Sequence, residues 1–246
     1  MGCGWGELLL RVLTSAPQAR GRGVDSASAS IDRARQQALT RGLLNRATFD
    51  AMPGAETQAR PADAVICIGA SQIWGPPVED AQPLDYGAAL RALRALVLTG
   101  GRLVYGEAVW SATPHPAAAA PLAGRDDEYL STDALREQIR GAGFEVVDDA
   151  QASVQEWDVF EAGYRDRFTR WLEAHDAHHP AAGQVRRRYE EQRVAYPPAR
   201  PGELHVAIRE LRGGFLRDGV LACIHEQRCF VPAWVVNSRS PSCRVR

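Results

Sequence analysis

The sequence predicts an α/β protein of Rossmann-like architecture: a doubly wound, mostly parallel sheet with helices on both faces and a helical insertion before the last strand. Three observations carry that expectation. The chain opens on a glycine-rich stretch, Met1-Gly2-Cys3-Gly4-Trp5-Gly6, that runs straight into the helix-forming residues Glu7 to Leu13. Ala64-Val65-Ile66-Cys67-Ile68-Gly69 is apolar throughout, as a strand buried on both faces of a parallel sheet must be. Strand-like and helix-like segments then alternate at the length of strand–helix–strand units.

Composition excludes several classes. The 246 residues suffice for a full hydrophobic core, and 45% hydrophobic with 24% charged residues is an ordinary globular balance. A net charge of −1 gives no electrostatic reason to expect nucleic acid or an anionic membrane as partner. No apolar run approaches the roughly 20 residues of a membrane span, and no charged-then-apolar leader opens the chain. Five scattered cysteines (Cys3, Cys67, Cys223, Cys229, Cys243) form no C-x-x-C pair, so reduced thiols in a cytoplasmic protein are expected, with no zinc site.

In chain order, Gly6 to Leu13 predicts the first helix, closed by Thr14-Ser15-Ala16-Pro17. Arg22-Gly23-Val24-Asp25 is a short strand ending in an acid, with Ser26 next and a helix from about Ser30 to Arg41. Arg46-Ala47-Thr48-Phe49 is a short strand followed by Asp50-Ala51. After the apolar strand, Tyr86 to Leu98 has helical spacing at Leu90, Leu93, Leu96 and Val97, and Gly100-Gly101 ends it. Arg102 to Gly106 is the next strand. Thr132 to Gly141 reads as a helix and Phe144 to Val147 as a strand.

From Gln155 to Tyr196 the pattern is helical and aromatic. Trp157, Phe160, Tyr164, Phe168 and Trp171 fall at spacings of three and four, one stripe of a helix that packs on the sheet or roofs a pocket. Residues 155–196 are therefore expected as a helical cap or insertion. Pro197 to Gly202 is a linker, Gly219 to Ile224 a last strand, and 226–246 an irregular tail outside a single domain spanning 1–225. His175, His178 and His179 cluster beside Asp176 but suit a helix end better than a metal site. Arg186-Arg187-Arg188 is balanced by Glu190 and Glu191, as on a solvated face.

Glycines suit a tight turn against a ligand because they lack a Cβ, and such loops aim backbone N–H groups at nucleotide-type ligands. The spacing here is G-x-G-x-G, one residue short of the G-x-G-x-x-G of dinucleotide folds, which disfavours a nicotinamide or flavin enzyme. Asp25 lies 19 residues beyond Gly6 at the end of the next strand, where an acid can accept from ribose hydroxyls. Asp50 with Ala51 suits an adenine contact, and Asp50 suits a helix N-cap or loop acid equally well.

Taken together, these residues resemble the class I S-adenosylmethionine-dependent methyltransferases. Gly2-Cys3-Gly4-Trp5-Gly6 is similar to the family's G-C-G-x-G motif, Gly23-Val24-Asp25-Ser26 to its ribose-binding motif, and Gly100-Gly101-Arg102-Leu103 to its turn before the fifth strand. The similarity extends to a bacterial subgroup acting on small molecules, through Cys67-Ile68-Gly69-Ala70-Ser71, Gly106-Glu107 with Trp110, and Glu156-Trp157-Asp158 with Glu161 and Tyr164. It spans about Gly2 to Ile224. The family's first strand, with its acid before the glycines, has no counterpart ahead of Gly2, and Thr99 replaces a common proline.

The resemblance implies S-adenosyl-L-methionine as cofactor, held by Gly2, Cys3, Gly4, Gly6, Asp25, Ser26, Asp50, Ala51 and Gly69. A small-molecule acceptor would meet Trp110, Trp157 and Tyr164. Glu107 is the catalytic candidate, since it follows the fifth strand at the carboxyl edge where open α/β sheets bind ligands; a salt-bridged loop acid is the alternative. A methyltransferase-fold chain with weak or no cofactor binding is the competing expectation, because a lost first strand would expose its neighbours' edges.

Overall fold

The computed structural model describes residues 1–75, 83–110, 112–114, 116–119, 126–195 and 204–212. Its first half follows the expected alternation. Helix α1 (Glu7–Ser15) is preceded by Gly6 in the left-handed region, carries Glu7 in its first turn and buries Leu10 and Leu13. An acid there complements the partial positive charge of the helix start. Strand β1 (Gly21–Asp25) and strand β2 (Ala47–Ala51) flank helix α2 (Ser28–Thr40) and pair in parallel, Gly23 opposite Phe49 and Asp25 opposite Ala51. These four elements enclose a core of Leu10, Leu13, Ile31, Ala34, Ala38, Leu43, Ala47 and Phe49.

A second sheet holds the rest. Strand β3 (Ala62–Ile68) lies parallel to strand β4 (Val97–Trp110), with helix α3 (Tyr86–Leu96) between them in sequence. The Asp85 side chain accepts from the Ala88 N–H at 2.7 Å and fixes where α3 begins. After the short helix α4 (Pro116–Ala119) come helix α5 (Thr132–Gly141) and strand β5 (Glu145–Gln151). Helix α6 (Val154–Ala174) starts on a capping box in which Ser153 and Glu156 bond reciprocally, and helix α7 (Ala182–Ala195) follows. Strand β6 (Leu204–Arg212) then inserts antiparallel between β4 and β5, giving the order β3-β4-β6-β5. Within this sheet β3, β4 and β5 run one way and β6 the other. Its own core gathers Leu90, Leu93, Leu103, Tyr105, Leu135 and Ile139.

Four expectations need correction. Gly100-Gly101 sits inside β4, which starts at Val97; Gly100 takes φ 84° and Gly101 lies where a Cβ would come within 2.9 Å of the Asp63 carbonyl oxygen. Asp50 and Ala51 belong to β2 itself, because the parallel register with Val24 and Asp25 carries the strand on. The helical stretch divides at residues 175–181 into α6 and α7. Leu204–Arg212 forms a strand where the sequence predicts no element, whereas the expected strand Gly219 to Ile224 lies outside the described residues, as does the tail 226–246.

Strands β1 and β3 do not pair. A cavity of about 1390 Å³ opens between them, with Gly21 to Val24 on one wall and Ala62 to Ile66 on the other. At its carboxyl end the first three residues reach both sheets: the Met1 nitrogen donates to the Ile66 carbonyl at 2.6 Å and the Cys3 N–H to the Val24 carbonyl at 3.0 Å.

Candidate functional site

The glycine loop is built from three left-handed residues, Gly2, Gly4 and Gly6, at φ 61°, 51° and 74°. Two are needed for packing. A Cβ on Gly2 would stand 2.6 Å from the Ala70 methyl, and one on Gly6 would stand 2.5 Å from the Phe49 ring. Gly4 differs, because its missing Cβ would meet nothing within 4 Å; Gly69, at φ 59°, likewise faces open space. Loop and strand end are thus shaped to leave room beside them, which is the cradle an adenosyl-type ligand requires.

Asp25 holds this loop in place. One carboxylate oxygen accepts from the Gly4 N–H at 2.8 Å and the other from the Ala27 N–H at 2.9 Å. Each oxygen keeps a second lone pair for a hydroxyl donor. Ser26 beside it is exposed. Asp50 is turned to Arg22, whose Nε lies 2.5 Å from its carboxylate across β1 and β2, and Ala51 is exposed at the end of β2. Burial pushes the Cys3 thiol up to about 11, the nearby Asp25 charge adding to the effect, so it is protonated at neutral pH. Met1, Gly2, Cys3 and Gly69 line the cavity; Asp25, Asp50 and Ala51 do not.

Glu107 lies within β4 and not after it, because pairing with β6 carries the strand on to Trp110; it lines the cavity, and only 3% of it is exposed. Its Oε1 accepts from the Ala70 N–H at 3.2 Å, the Ser71 N–H at 2.9 Å and the Ser71 hydroxyl. The Ser71 hydroxyl also lies 2.6 Å from the Tyr105 hydroxyl. Ser71 has one proton and directs it at Glu107, so Tyr105 is the donor to Ser71. All of these bonds fall on Oε1, which leaves Oε2 for the cavity. Burial raises the Glu107 carboxyl above the usual range, against the lowering effect of the Ser71 and Ala70 donors and with the added charge of Glu128.

Glu128 and Tyr129 face the same space from the loop ahead of α5, and Phe160 faces it from α6. Trp110 lies behind that loop and does not line the cavity. Its indole N–H donates to the Asp126 carbonyl at 2.8 Å, its backbone N–H to the Leu130 carbonyl at 3.0 Å, and its ring meets Tyr129 edge-on at 5.7 Å. Trp157 and Tyr164 are positions of α6 whose side chains lie outside the described residues. Sequence reasoning passed over Glu128, Tyr129 and Tyr105. Tyr105 sits in an apolar strand opposite Cys67 and looks like plain strand core, and Arg125-Asp126-Asp127-Glu128-Tyr129 reads as a charged loop.

The histidines are accounted for by rings. His175 stacks on Trp171 at 4.1 Å and His179 meets both edge-on at 5.1 Å. No group of three His, Cys, Asp or Glu side chains is placed to hold a metal ion among the described residues. Among them, too, no helix is long and apolar enough to cross a membrane.

Residues 1–103 match the family described as "Methyltransferase domain". The fold is that of the Rossmann-like, class I S-adenosylmethionine-dependent methyltransferases. The chain is 27% identical over 177 residues to the uncharacterised protein YjhP of Escherichia coli, covering 71% of this chain and 67% of that one. The crystal structure of YjhP superposes with a TM-score of 0.69 at 25% identity, over 88% of this chain and 84% of its own. A methyltransferase of Geobacter sulfurreducens, crystallised with S-adenosyl-L-homocysteine, gives 0.70 at 24% identity over 85% and 81% of the two chains.

Proposed function

We propose that the chain is a methyltransferase that uses S-adenosyl-L-methionine to methylate a small-molecule acceptor. The observation that supports it most is a single cavity running from Gly2, Cys3 and Gly69 to Glu107. When bound, the cofactor supplies a methyl group already activated on a sulfonium. Gly2, Cys3, Gly4, Gly6 and Gly69 would hold it through close backbone approach, with Asp25 and Ser26 on the ribose side and Asp50 and Ala51 at the adenine side. The proteins of this fold crystallised with S-adenosyl-L-homocysteine support that choice of cofactor.

The chain's own work is positioning and proton removal. Ala70, Ser71 and Tyr105 orient the Glu107 carboxyl so that Oε2 meets the acceptor. Trp110 acts through the 126–131 loop it anchors, and Trp157 and Tyr164, positions of the same helix as Phe160, are taken as further contacts for the acceptor. We take residues 1–225 as one methyltransferase domain with 155–196 as its cap, working in the cytoplasm without nucleic acid or membrane.

Isothermal titration of the purified chain with S-adenosyl-L-homocysteine tests the reading. Saturable one-to-one heat, abolished by excess S-adenosyl-L-methionine, is expected. A second reading, a methyltransferase-fold protein with little cofactor affinity, is favoured by β1 and β3 not pairing with each other, which leaves their facing edges bridged among the described residues by Met1 and Cys3. A flat titration would establish it in place of the first.

A further inference from the structure

Strand β1 bonds along its length to β2 and strand β3 to β4, and the two do not pair with each other. Among the described residues their facing edges are engaged only near the carboxyl ends, where the Met1 nitrogen donates to Ile66 and the Cys3 N–H to Val24. Met1 thus meets β3 as a neighbouring strand would, and Gly2, at φ 61°, turns the chain across to β1. The earlier parts of both edges, Gly21 to Gly23 and Ala62 to Val65, line the cavity instead. Leu9 and Leu84 line it too, the first packed on the smaller hydrophobic cluster and the second on the larger. Backbone N–H and C=O groups set among apolar side chains are costly to leave unpaired. The end of the cavity at the strand starts is also basic. Arg20 and Arg60 precede β1 and β3 there, Arg22 is paired with Asp50, and among the described residues Asp63 is the one acid lining that end.

We propose that the space between β1 and β3 receives an extended peptide strand from another polypeptide, apolar at successive positions and led by acidic residues, which joins the two sheets into one. Successive residues of an extended chain bond to one neighbour and then the other, so a single strand satisfies both edges at once. Cover on both faces makes such a strand apolar throughout instead of alternating. Its length is about five to six residues, matched to β1 with five and β3 with seven. It runs parallel to both, because Met1 and Cys3 place the carboxyl ends of β1 and β3 together at the glycine loop. Its leading acids then fall beside Arg20 and Arg60, away from Glu107 and Glu128 at the other end. Neither cofactor nor methyl transfer enters this inference, and the strand lies beside the loop, not in its place.

Fluorescence anisotropy of the full chain with the dye-labelled, amidated peptide Asp-Glu-Val-Leu-Val-Ile-Val tests it. Saturable binding is expected, with hydrogen-exchange protection at residues 21–24 and 62–66. Proline in place of the peptide's Leu and Ile removes two ladder donors and should weaken binding about tenfold or more. A Lys-Lys lead should weaken it about threefold, and Arg60→Glu, an exposed change, should cancel or reverse that preference. Val12→Glu, which sets a charge on the α1 wall of the cavity, should weaken both peptides about tenfold, with circular dichroism showing the fold intact. No binding, equal binding of the proline peptide, protection elsewhere, or an unaltered preference in Arg60→Glu would each overturn the proposal. So would a dimer in analytical ultracentrifugation that the peptide does not dissociate, since a second copy would then hold the space. Displacement of the peptide by S-adenosyl-L-homocysteine would place both in one site and overturn it as well. Calorimetric binding of S-adenosyl-L-homocysteine without peptide binding sinks this inference alone, and the reverse pattern sinks the cofactor reading alone.

Discussion

Ser71 serves Glu107 twice, placing its backbone N–H and its hydroxyl on the same carboxylate oxygen while Tyr105 hydrogen-bonds the hydroxyl at 2.6 Å. Three residues from two strand ends thus form one ordered relay. Both donors favour the charged carboxylate, and burial opposes them. Ser71→Ala should therefore raise the Glu107 pKa further and leave Tyr105 without its partner. A loss of about 1–2 kcal/mol is expected in urea unfolding. Carbon-detected titration of the Glu107 carboxyl reads the shift; a downward one would refute the relay.

Glu107 also sets how stability varies with pH. Its folded carboxyl titrates above the ordinary value of 4.5, so between that value and the raised one the folded state binds more protons than the unfolded state. Stability contributed by this group is accordingly full below 4.5 and falls as pH rises through the window. Glu128, Tyr105, Tyr86 and Tyr129 share the environment, but the tyrosines are all raised by burial and stay neutral there. Glu107→Gln should flatten the slope of melting temperature against pH across this range. An unchanged slope would show that another group carries it.

The loop glycines should separate packing from binding. Gly6→Ala combines a positive φ with a methyl 2.5 Å from Phe49 and should destabilise by roughly 2–4 kcal/mol. Gly4→Ala carries the strained φ alone and should lose only about 1 kcal/mol. Its methyl enters open space beside the loop, so affinity for S-adenosyl-L-homocysteine should drop more than stability does. Thermal melts set beside titrations decide it.

Asp25 and Asp50 make a matched pair of acids with unequal roles. Asp25→Asn replaces one acceptor of a backbone N–H with a donor and should cost about 1–3 kcal/mol and weaken cofactor binding. Asp50→Asn touches an ion pair whose partners are 41% and 42% exposed, so less than about 1 kcal/mol is expected. Equal losses in denaturant melts would contradict this ranking.

Much of the frame was legible because its signals are local. Helix Thr132–Gly141 buries Leu135 and Ile139, four residues apart on one face, and β3 is an apolar run. Leu204–Arg212 has no clear period in the sequence, with Arg209 and Glu210 adjacent, and its identity as a strand depends on partners far back in the chain, from Arg102 to Trp110 and Glu145 to Gln151. Glycines at 100 and 101 look like a turn, yet the close approach of the Asp63 backbone makes Gly101 a strand residue. The glycine loop and Glu107 could be named from the sequence; the bonding of Ser71 to Glu107 and Tyr105 could not, since only the folded sheet brings residues 36 and 34 positions away to its hydroxyl.

The two hydrophobic clusters lie on either side of the cavity, and the opening residues touch both: Met1 packs against the larger and Cys3 against the smaller. The glycine loop is therefore a mechanical coupling as well as a cradle. Tension placed on it by a ligand passes to both cores at once. If that coupling holds, the cores should melt as two calorimetric transitions without ligand and as one with the cavity filled, and a single unchanged transition in both states would refute it. Occupancy of the site then becomes readable as cooperativity, from the sharpness of the heat-capacity peak rather than from any product formed.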